Sequence, residues 1–393
     1  MKKTIKDINL DNKKIILRCD LNVPIKDNVI LDDTRIVAAI DTINYLTSHS
    51  CKVIIMSHLG KVKTIKDQES NSLEIVGKKL GELLKKEVIF SKETRGMLLE
   101  DKINKMDYGD VLLIENTRFE DIPDSLESTC DEQLAEYWSG LGEIFVNDAF
   151  GAIHRCHASN YGISKYLPSV IGFLVEKELK YLNTLIINPP RPYTVIMGGA
   201  KIEDKIPLIE SIINKCDYLL VAGGIANTFL KALKFNVGFS IYDPDTIPLV
   251  SKIMLENKEK IMLPLDVVVG NKYNHNYAEV KSLTEINDND AIYDIGPKTI
   301  EKYKKAINSS ETIFINGTMG KYEDPKFGFG TKEICQLLVK SPAKVIAGGG
   351  DILSAINKFN FAKHFYYLST GGGATLEYLT NPNLKCLENI EEI

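Results

Sequence analysis

The sequence has no long apolar run, no closely spaced cysteine pair and no excess of positive charge. No stretch approaches the roughly 20 apolar residues that a membrane-spanning helix needs, and the N-terminus lacks the apolar core of a signal peptide. The seven cysteines form no Cys-x-x-Cys motif, which indicates a reducing compartment. The formal net charge of −5 disfavours general binding to nucleic acids or anionic membranes. We therefore expect a cytoplasmic protein with neither a membrane nor a nucleic acid as partner.

Two common nucleotide-binding signatures are also missing. The sequence has no Gly-x-x-x-x-Gly-Lys-Ser/Thr motif, so a P-loop enzyme is excluded. No Gly-x-Gly-x-x-Gly motif follows the first predicted strand, so a nicotinamide-dependent oxidoreductase would lack its usual signature. Such an oxidoreductase stays an alternative that a titration with the nicotinamide cofactor would reveal.

Apolar segments alternate with helical patterns along a chain of 393 residues, a length that favours two domains. Helices are predicted from Asp32-Asp33-Thr34, over 71–86 and, as a long amphipathic helix, over 166–186. This alternation predicts an α/β fold with parallel sheets, whose ligands lie beyond the carboxyl ends of the strands. The strands are predicted at 12–19, 51–57, 110–115, 143–147, 193–197, 218–221, 291–294, 312–315, 344–347 and 365–368.

Charged and polar residues follow the predicted strands of the first half. Because arginine grips phosphate and carboxylate groups through two hydrogen bonds, they predict a site for a small, multiply anionic ligand. Each one alone could also be a solvated surface residue. We interpret the nearby His154 and His157 as packing or hydrogen-bonding groups, since no cysteine or third histidine joins them. The residues predicted for this site are Asp20, Asn22, His58, Lys61, Arg118 and Arg155, with Arg35 close by.

Glycine follows nearly every predicted strand of the second half, as a close-fitting nucleotide site requires. In the segment 343–356, three glycines and Asp351 stand between a strand and a helix. The helix N-terminus attracts phosphate and the carboxylate can bind Mg²⁺, so the segment predicts a site for a magnesium-bound polyphosphate. The alternative is a tight turn with a helix-capping aspartate. Lys201 and Lys205, four residues apart, would face one side of a helical turn, or would be two exposed lysines.

These motifs together resemble the phosphoglycerate kinase family from about residue 10 to about residue 378. The matching segments are Asp20–Pro24, Asp33–Ile36, Ser57–Gly60, Glu115–Phe119, Asn147–Gly151, His154–Ser159, Gly198–Lys201, Asp204–Lys205, Asp294–Pro297, Asn316–Gly317, Gly348–Asp351 and Ser369–Gly373. The resemblance implies two Rossmann-like three-layer lobes joined by a long helix. It also implies reversible transfer of the acyl phosphate of 1,3-bisphosphoglycerate to Mg·ADP, giving ATP and 3-phosphoglycerate.

The resemblance also assigns roles and domain limits. The N-terminal lobe, 1–168 with the tail 379–393, would bind 3-phosphoglycerate, residues 169–188 would form the connecting helix, and 189–378 would bind nucleotide. Arg35, Lys201 and Lys205 would stabilise the transferring phosphoryl group, and Asp351 would carry Mg²⁺. The two lobes would have to close around the substrates. We expect a monomer. Nucleotide binding is implied for Lys205, Glu323, Gly349, Gly350, Asp351 and Ile352.

Four positions depart from the family pattern. Lys61 replaces an arginine after His58-Leu-Gly60, and Ile352 replaces a threonine or serine near the phosphates. Ile315 and Thr318 replace a tryptophan and a proline around Asn316-Gly317. These departures leave open a catalytically weakened relative that binds the nucleotide and the anion but transfers little phosphate.

Overall fold

A computed structural model describes residues 2–200, 202–203, 205–274 and 277–393. The chain divides into two compact units. The first contains the residues up to Lys180 together with Asn383–Ile393, and the second contains Tyr181–Pro382. No helix within the described ranges is both long and apolar enough to cross a membrane.

The first unit is built on a six-stranded parallel sheet with the order β5-β6-β4-β1-β7-β8. Strand β1 lies between β4 and β7, with Ile16 opposite Ile54 and Phe145. A short antiparallel hairpin, β2 with β3, follows β1. The strands are β1 Lys14–Cys19, β2 Ile25–Lys26, β3 Val29–Ile30, β4 Lys52–Met56, β5 Val88–Phe90, β6 Val111–Leu113, β7 Ile144–Asp148 and β8 Ser169–Ile171.

Alternate residues of these strands feed two hydrophobic cores, one on each face of the sheet. Ile15 and Leu17 pack with Ile36 and Ile43, while Ile16 packs in the other core with Trp138. Successive strand residues point to opposite faces, so helices on both faces give three layers. The helices are α1 Thr34–Ser48, α2 Ile65–Ser70, α3 Glu74–Leu84, α4 Met97–Asn104 and α5 Glu132–Ser139.

The second unit is built on another six-stranded parallel sheet, ordered β11-β10-β9-β15-β16-β17. Together the two sheets confirm the predicted fold class of two α/β lobes with parallel sheets. The strands are β9 Tyr193–Met197, β10 Tyr218–Val221, β11 Ile261–Met262, β15 Thr312–Asn316, β16 Lys344–Gly348 and β17 Tyr367–Ser369. The helices are α7 Ile206–Ile212, α8 Gly223–Ala232, α9 Ile247–Glu256, α10 Pro297–Ser309, α11 Phe329–Lys340, α12 Gly350–Lys358 and α13 Gly373–Thr380.

The strand predicted at 291–294 does not join this parallel sheet. It forms β14 (Asp290–Ile295), which pairs antiparallel with β12 (Asp266–Asn271), and β12 pairs in turn with β13 (Glu279–Ser282). Strand pairing depends on distant residues, and the apolar run of β14 resembles that of a parallel strand, so alternation alone gave the wrong sheet.

The helix predicted over 166–186 is shorter than expected. Residues 169–171 form the edge strand β8, which pairs with β7, and helix α6 covers Phe173–Ile186. Pro168 disfavours helix for the residue before it, and Val170 and Ile171 are β-branched residues that favour a strand. Residues 169–171, which the helical pattern includes, therefore form an edge strand of the sheet.

The C-terminal residues of the chain pack in the first unit. The Lys3 amide donates to the carbonyl of Glu391 at 2.8 Å, and Asn389 Nδ2 donates to Ser164 Oγ at 3.0 Å. A short helix, α14 (Lys385–Glu388), carries the buried Cys386, whose thiol donates to the Arg155 carbonyl at 3.2 Å. This tail thus contacts the loop that follows β7.

Candidate functional site

Asp20 and Arg35 form an ion pair just beyond the carboxyl end of β1. Asp20 is buried and follows the strand directly, while Arg35 lies in the first turn of α1 with about a third of its side chain exposed. Nη1 of Arg35 lies 2.8 Å from each carboxylate oxygen of Asp20. The carboxylate thereby orients the guanidinium at the carboxyl end of β1.

Asn22 and Gly60 are joined across the same edge of the sheet. The Gly60 amide donates to Asn22 Oδ1 at 2.9 Å. Gly60 has a φ of +60°, and a side chain there would also collide with Asn71, so the turn after β4 requires glycine. Lys61, the next residue, is exposed. Its backbone lies at this edge beside Gly60.

Arg118 offers a buried guanidinium nitrogen with no partner among the described residues. The residue lies in the short 3-10 helix Thr117–Asp121, which follows β6, and its own amide donates to Asn116 Oδ1 at 3.1 Å. Its side chain is buried, and its Nε has no hydrogen-bond acceptor within the described ranges. A buried donor without an acceptor is costly, so this position favours an incoming anion.

His58 lies buried just after β4 and contacts Arg18, a residue that the sequence analysis did not place in the site. Nη2 of Arg18 lies 3.2 Å from His58 Nδ1, and Arg18 itself is fully buried in the central strand β1. Burial lowers the pKa of His58 well below its usual 6.5, and the neighbouring Arg18 and Arg118 lower it further. The sequence signal for Arg18 was a lone charged residue inside an apolar strand.

Arg155, His154 and His157 lie on the loop after β7. Arg155 is exposed, and its Nε contacts His154 Nε2 at 3.1 Å. His157 is buried, and its Nδ1 lies 3.8 Å from Glu127 Oε1, too far for a hydrogen bond. Burial lowers the pKa of His154 to about 4 and that of His157 to about 3. Both rings are therefore neutral near pH 7.

This edge of the first sheet accordingly gathers four arginines, Arg18, Arg35, Arg118 and Arg155, together with neutral histidines. Burial lowers the pKa of Arg118, and the nearby positive charge of Arg155 lowers it further. Like charges held close together are stabilised by an anion between them. The arrangement suits a small ligand with more than one negative group.

A cavity of about 480 Å³ lies within the second unit. Glycines from three turns form part of its wall, and Phe239 and Ile241 give it an apolar side. A cavity of this size, apolar with a few polar groups, is typical of a site for a nucleotide-sized molecule. Its other lining residues include Gly199, Gly223, Gly224, Thr318, Gly320, Glu323 and Asp351.

Asp351 lies in the first turn of α12 with its side chain exposed at the cavity wall. Gly349 precedes the helix with a φ of +111°, and a Cβ there would lie 2.5 Å from Asn316 Nδ2. Glycine is therefore required at this turn. Gly350 is exposed beside Asp351, whereas the side chain of Ile352 is buried in the core beneath the helix. Only the Ile352 backbone can contact a ligand here.

Lys205 lies directly before α7 and is buried, with its Nζ donating to the Gly198 carbonyl. Lys205 does not lie within a helix, as the predicted helical turn through Lys201 and Lys205 would require. It is the N-cap residue of α7, which starts at Ile206 and has Pro207 in its first turn, where proline is favoured. Lys201 lies outside the described residues.

Asp294 is a buried carboxylate behind the cavity wall, and the sequence motifs gave it no role. Its oxygens accept from the Gly330 amide at 2.6 Å and from the Ile295 amide at 2.9 Å. Burial raises its pKa to about 7, although both hydrogen bonds oppose that rise. The carboxylate holds the start of α11 against β14, next to the cavity-lining Tyr293.

Two α/β lobes, one with an arginine-rich sheet edge and the other with a nucleotide-sized cavity, are the architecture of a phosphotransferase. The family model described as phosphoglycerate kinase matches residues 5–381, and the chain belongs to this family. It is 45% identical to the phosphoglycerate kinase of Enterococcus faecalis over 395 residues, covering 100% of this chain and 99% of that one.

Solved structures agree. The structure of phosphoglycerate kinase from Coxiella burnetii superposes with a TM-score of 0.88 at 34% identity, covering 99% of this chain and 98% of that one. The enzyme from Pyrococcus horikoshii superposes with a TM-score of 0.86 at 30% identity, with 98% of each chain covered. The chain is thus a kinase that transfers phosphate between 1,3-bisphosphoglycerate and ADP, and a weakened binding protein is not favoured.

The departures from the family pattern lie in different environments. Ile315 is fully buried in β15 and packs in the core of the second unit. Thr318 is buried but lines the cavity, and Ile352 faces the core. Only Lys61 is exposed. Ile315 and Ile352 therefore both act as packing residues in this chain.

Proposed function

We propose that the first unit binds 3-phosphoglycerate through Asp20, Asn22, Arg35, His58, Gly60, Lys61, Arg118 and Arg155. The single observation that carries this assignment is the buried, unpartnered Nε of Arg118 beside other cationic groups. A ligand with a carboxylate and a phosphate supplies acceptors for several guanidinium groups at once. Neutral histidines can donate there without adding charge.

ADP occupies the cavity of the second unit in this proposal. The apolar side formed by Phe239 and Ile241 suits the base, and the glycine turns let backbone amides approach the phosphates. Glu323 and the segment Gly349–Ile352 lie at or next to the cavity. Asp351 is at the phosphate end, because it begins a helix that follows the Gly-rich turn.

The residues present fit a magnesium ion. Asp351 presents one open carboxylate at the cavity wall. No group of three His, Cys, Asp or Glu side chains suited to a metal occurs among the described residues, but Mg²⁺ often takes one carboxylate and completes its shell with phosphates and water. When bound, Mg²⁺ would neutralise charge on the nucleotide phosphates.

Transfer moves the phosphoryl group from the carboxyl oxygen of the glycerate to a terminal oxygen of ADP. Such transfers depend on in-line positioning and on neutralising the charge of the moving group. Arg35, held by Asp20, would contact that group from the glycerate side. Lys205 and Lys201 would contact it from the nucleotide side, which requires Lys205 to leave the Gly198 carbonyl.

The domain limits given by the resemblance, 1–168 with 379–393, 169–188 and 189–378, remain part of this proposal. So do a cytoplasmic location and a monomeric state. The absence of Cys-x-x-Cys motifs supports the location.

The deciding experiment incubates purified protein with ATP, Mg²⁺ and 3-phosphoglycerate and follows 1,3-bisphosphoglycerate with a coupled reductive assay. We expect turnover in the range typical of kinases, about 1–100 s⁻¹ or above. An Arg118→Met variant should raise the KM for 3-phosphoglycerate more than the KM for ATP. Equal changes in both constants, or no turnover by the parent protein, would contradict the proposal.

A further inference from the structure

Arg18 has no place in the proposed substrate set, yet it contacts one of its members. It lies fully buried in β1, between β4 and β7, on the same face as Ile16. A buried arginine is costly unless its charge and its donors are satisfied. Its Nε donates to Ser159 Oγ at 2.8 Å, one Nη donates to the Cys19 carbonyl at 2.5 Å, and the other reaches His58 Nδ1 at 3.2 Å.

The charge of Arg18 is balanced by Glu127 through a shared hydroxyl. Glu127 is fully buried, and its carboxylate accepts from the Ser159 hydroxyl at 2.5 Å and from the Ser159 amide at 2.9 Å. The same hydroxyl accepts from Arg18. Arg18, Ser159 and Glu127 thus form a continuous, charge-balanced chain that ends at the His58 ring.

The direction of the last contact in this chain fixes the state of the ring. A guanidinium can only donate, so His58 Nδ1 must accept with its lone pair. A neutral imidazole then carries its proton on Nε2. Nε2 has no hydrogen-bond partner within the described ranges. The Nε2–H group of His58 can therefore donate a hydrogen bond to a ligand.

The groups around His58 also keep it neutral. Burial disfavours a positive charge on the ring most, and the charged Arg18, Arg118 and Arg35 disfavour it further. None of these main contributions comes from a carboxylate, and within the described residues Glu127 is bonded to Ser159 and interacts with Arg18.

We propose that Arg18 is a positioning residue that fixes His58 in its Nε2-protonated tautomer, so that His58 donates this hydrogen bond to the anionic glycerate ligand. The proposal rests on the proposed function of His58 as a ligand-binding residue. Arg18 acts through His58 and does not touch the ligand. An unfixed ring would present its Nε2 lone pair to the anion for part of the time, which would repel it.

The first test uses the parent protein without substrate. Long-range ¹H–¹⁵N spectra of histidine-labelled protein distinguish the two neutral tautomers and the charged ring, and a His58→Gln variant assigns the His58 signals. We expect an unprotonated Nδ1 and a protonated Nε2 from pH 6 to pH 8. A protonated Nδ1 anywhere in this range overturns the proposal. This test does not depend on any variant of Arg18 folding.

The second test is a variant cycle that separates tautomer control from general support of the fold. Arg18→Gln combined with Glu127→Gln removes both buried charges together and leaves side chains that can still hydrogen-bond. We expect the KM for 3-phosphoglycerate to rise about tenfold, as for one lost charge-assisted hydrogen bond, with the KM for ATP within twofold. Glu127→Gln alone, which keeps Arg18, is the matched control and should raise the KM for 3-phosphoglycerate by a smaller factor.

The same pair of substitutions is then made in the His58→Gln background. Glutamine carries its NH₂ near the position of Nε2 and has no tautomer, so the rise in KM should fall below twofold there. An equal rise in both backgrounds means that Arg18 only supports the fold and overturns the proposal. An unchanged KM in His58→Ala would overturn the ligand role of His58, while the tautomer measured by NMR would still stand.

Discussion

Nη1 of Arg35 lies 2.8 Å from both carboxylate oxygens of Asp20, so a single guanidinium nitrogen is shared between two acceptors. The carboxylate is buried and the arginine is partly exposed. The buried carboxylate of Asp20 therefore fixes the direction of the Arg35 side chain. The arginine is thereby oriented before any ligand arrives, which lowers the entropy cost of binding.

Arg35→Ala should lower kcat by about 10²-fold or more, because the lost contact is expected mainly with the moving phosphoryl group. The affinity for nucleotide should change much less. Steady-state kinetics with both substrates measure the two effects, and Arg35→Lys is the control that keeps a positive charge. If kcat of the alanine variant stays within threefold of the parent, Arg35 does not act on the transferring group.

Asp351→Ala should weaken the binding of Mg·ADP far more than that of metal-free ADP, because it removes the proposed ionic oxygen ligand. Calorimetric titrations with and without Mg²⁺ measure both affinities. Glu323→Ala, which alters another exposed carboxylate at the cavity wall, is the matched control. Equal weakening of both forms of ADP by Asp351→Ala would mean that this residue only supports the start of α12.

Lys61→Arg should tighten 3-phosphoglycerate by roughly 1 kcal/mol, about fivefold, since arginine can grip two oxygens where lysine presents one point charge. Lys61→Met should weaken binding by a similar or larger amount, and more at low salt, where screening is weaker. The KM for 3-phosphoglycerate is measured in all three proteins at two ionic strengths. A methionine variant that matches the parent at both would make Lys61 a solvated surface residue.

Asp294 should make stability fall as the pH rises. Its folded pKa is raised from 3.8 to about 7, so the folded state keeps a proton that the unfolded state has lost. The stabilisation is complete below about pH 4 and disappears as the pH rises through 7, with a slope near 1.4 kcal/mol per pH unit between them. Asp294→Asn should remove this slope from the difference between variant and parent.

Urea titrations followed by circular dichroism between pH 5 and pH 8 measure that difference. The comparison must be with the parent at each pH, because the lowered pKa values of His154 and His157 act in the opposite direction. Asp124→Asn, at an exposed position, controls for the loss of one carboxylate. A constant difference between Asp294→Asn and its parent across this range would show that Asp294 is ionised throughout.

Local patterns in the sequence were enough to predict most strands of the two parallel sheets. The strand predicted at 193–197 is found there, and Asp20, His58 and Arg118 follow strand ends as expected, with Arg35 in the first turn of a helix. Such predictions succeed because buried parallel strands are continuous apolar runs and their carboxyl ends share one edge.

The pairing of distant strands and the burial of charged residues could not be predicted from local patterns. The antiparallel partner of β14 is β12, which is separated from it along the chain by β13. Arg18 and Glu127 are 109 positions apart in number, and nothing local indicates that Ser159 links them. These contacts join residues that are distant in the sequence, so they can be identified only in the assembled fold.

The attachment of the C-terminal tail to the first unit has a consequence for synthesis on the ribosome. The strands of the first sheet are all translated by Ile171, but Cys386, Asn389 and Glu391 follow only after the second unit has been made. At about 5–20 residues per second, this interval lasts on the order of 10–40 s. Until then the carbonyl of Arg155 lacks its thiol donor, so the loop after β7 gains its contacts with the tail only after the second unit has been translated.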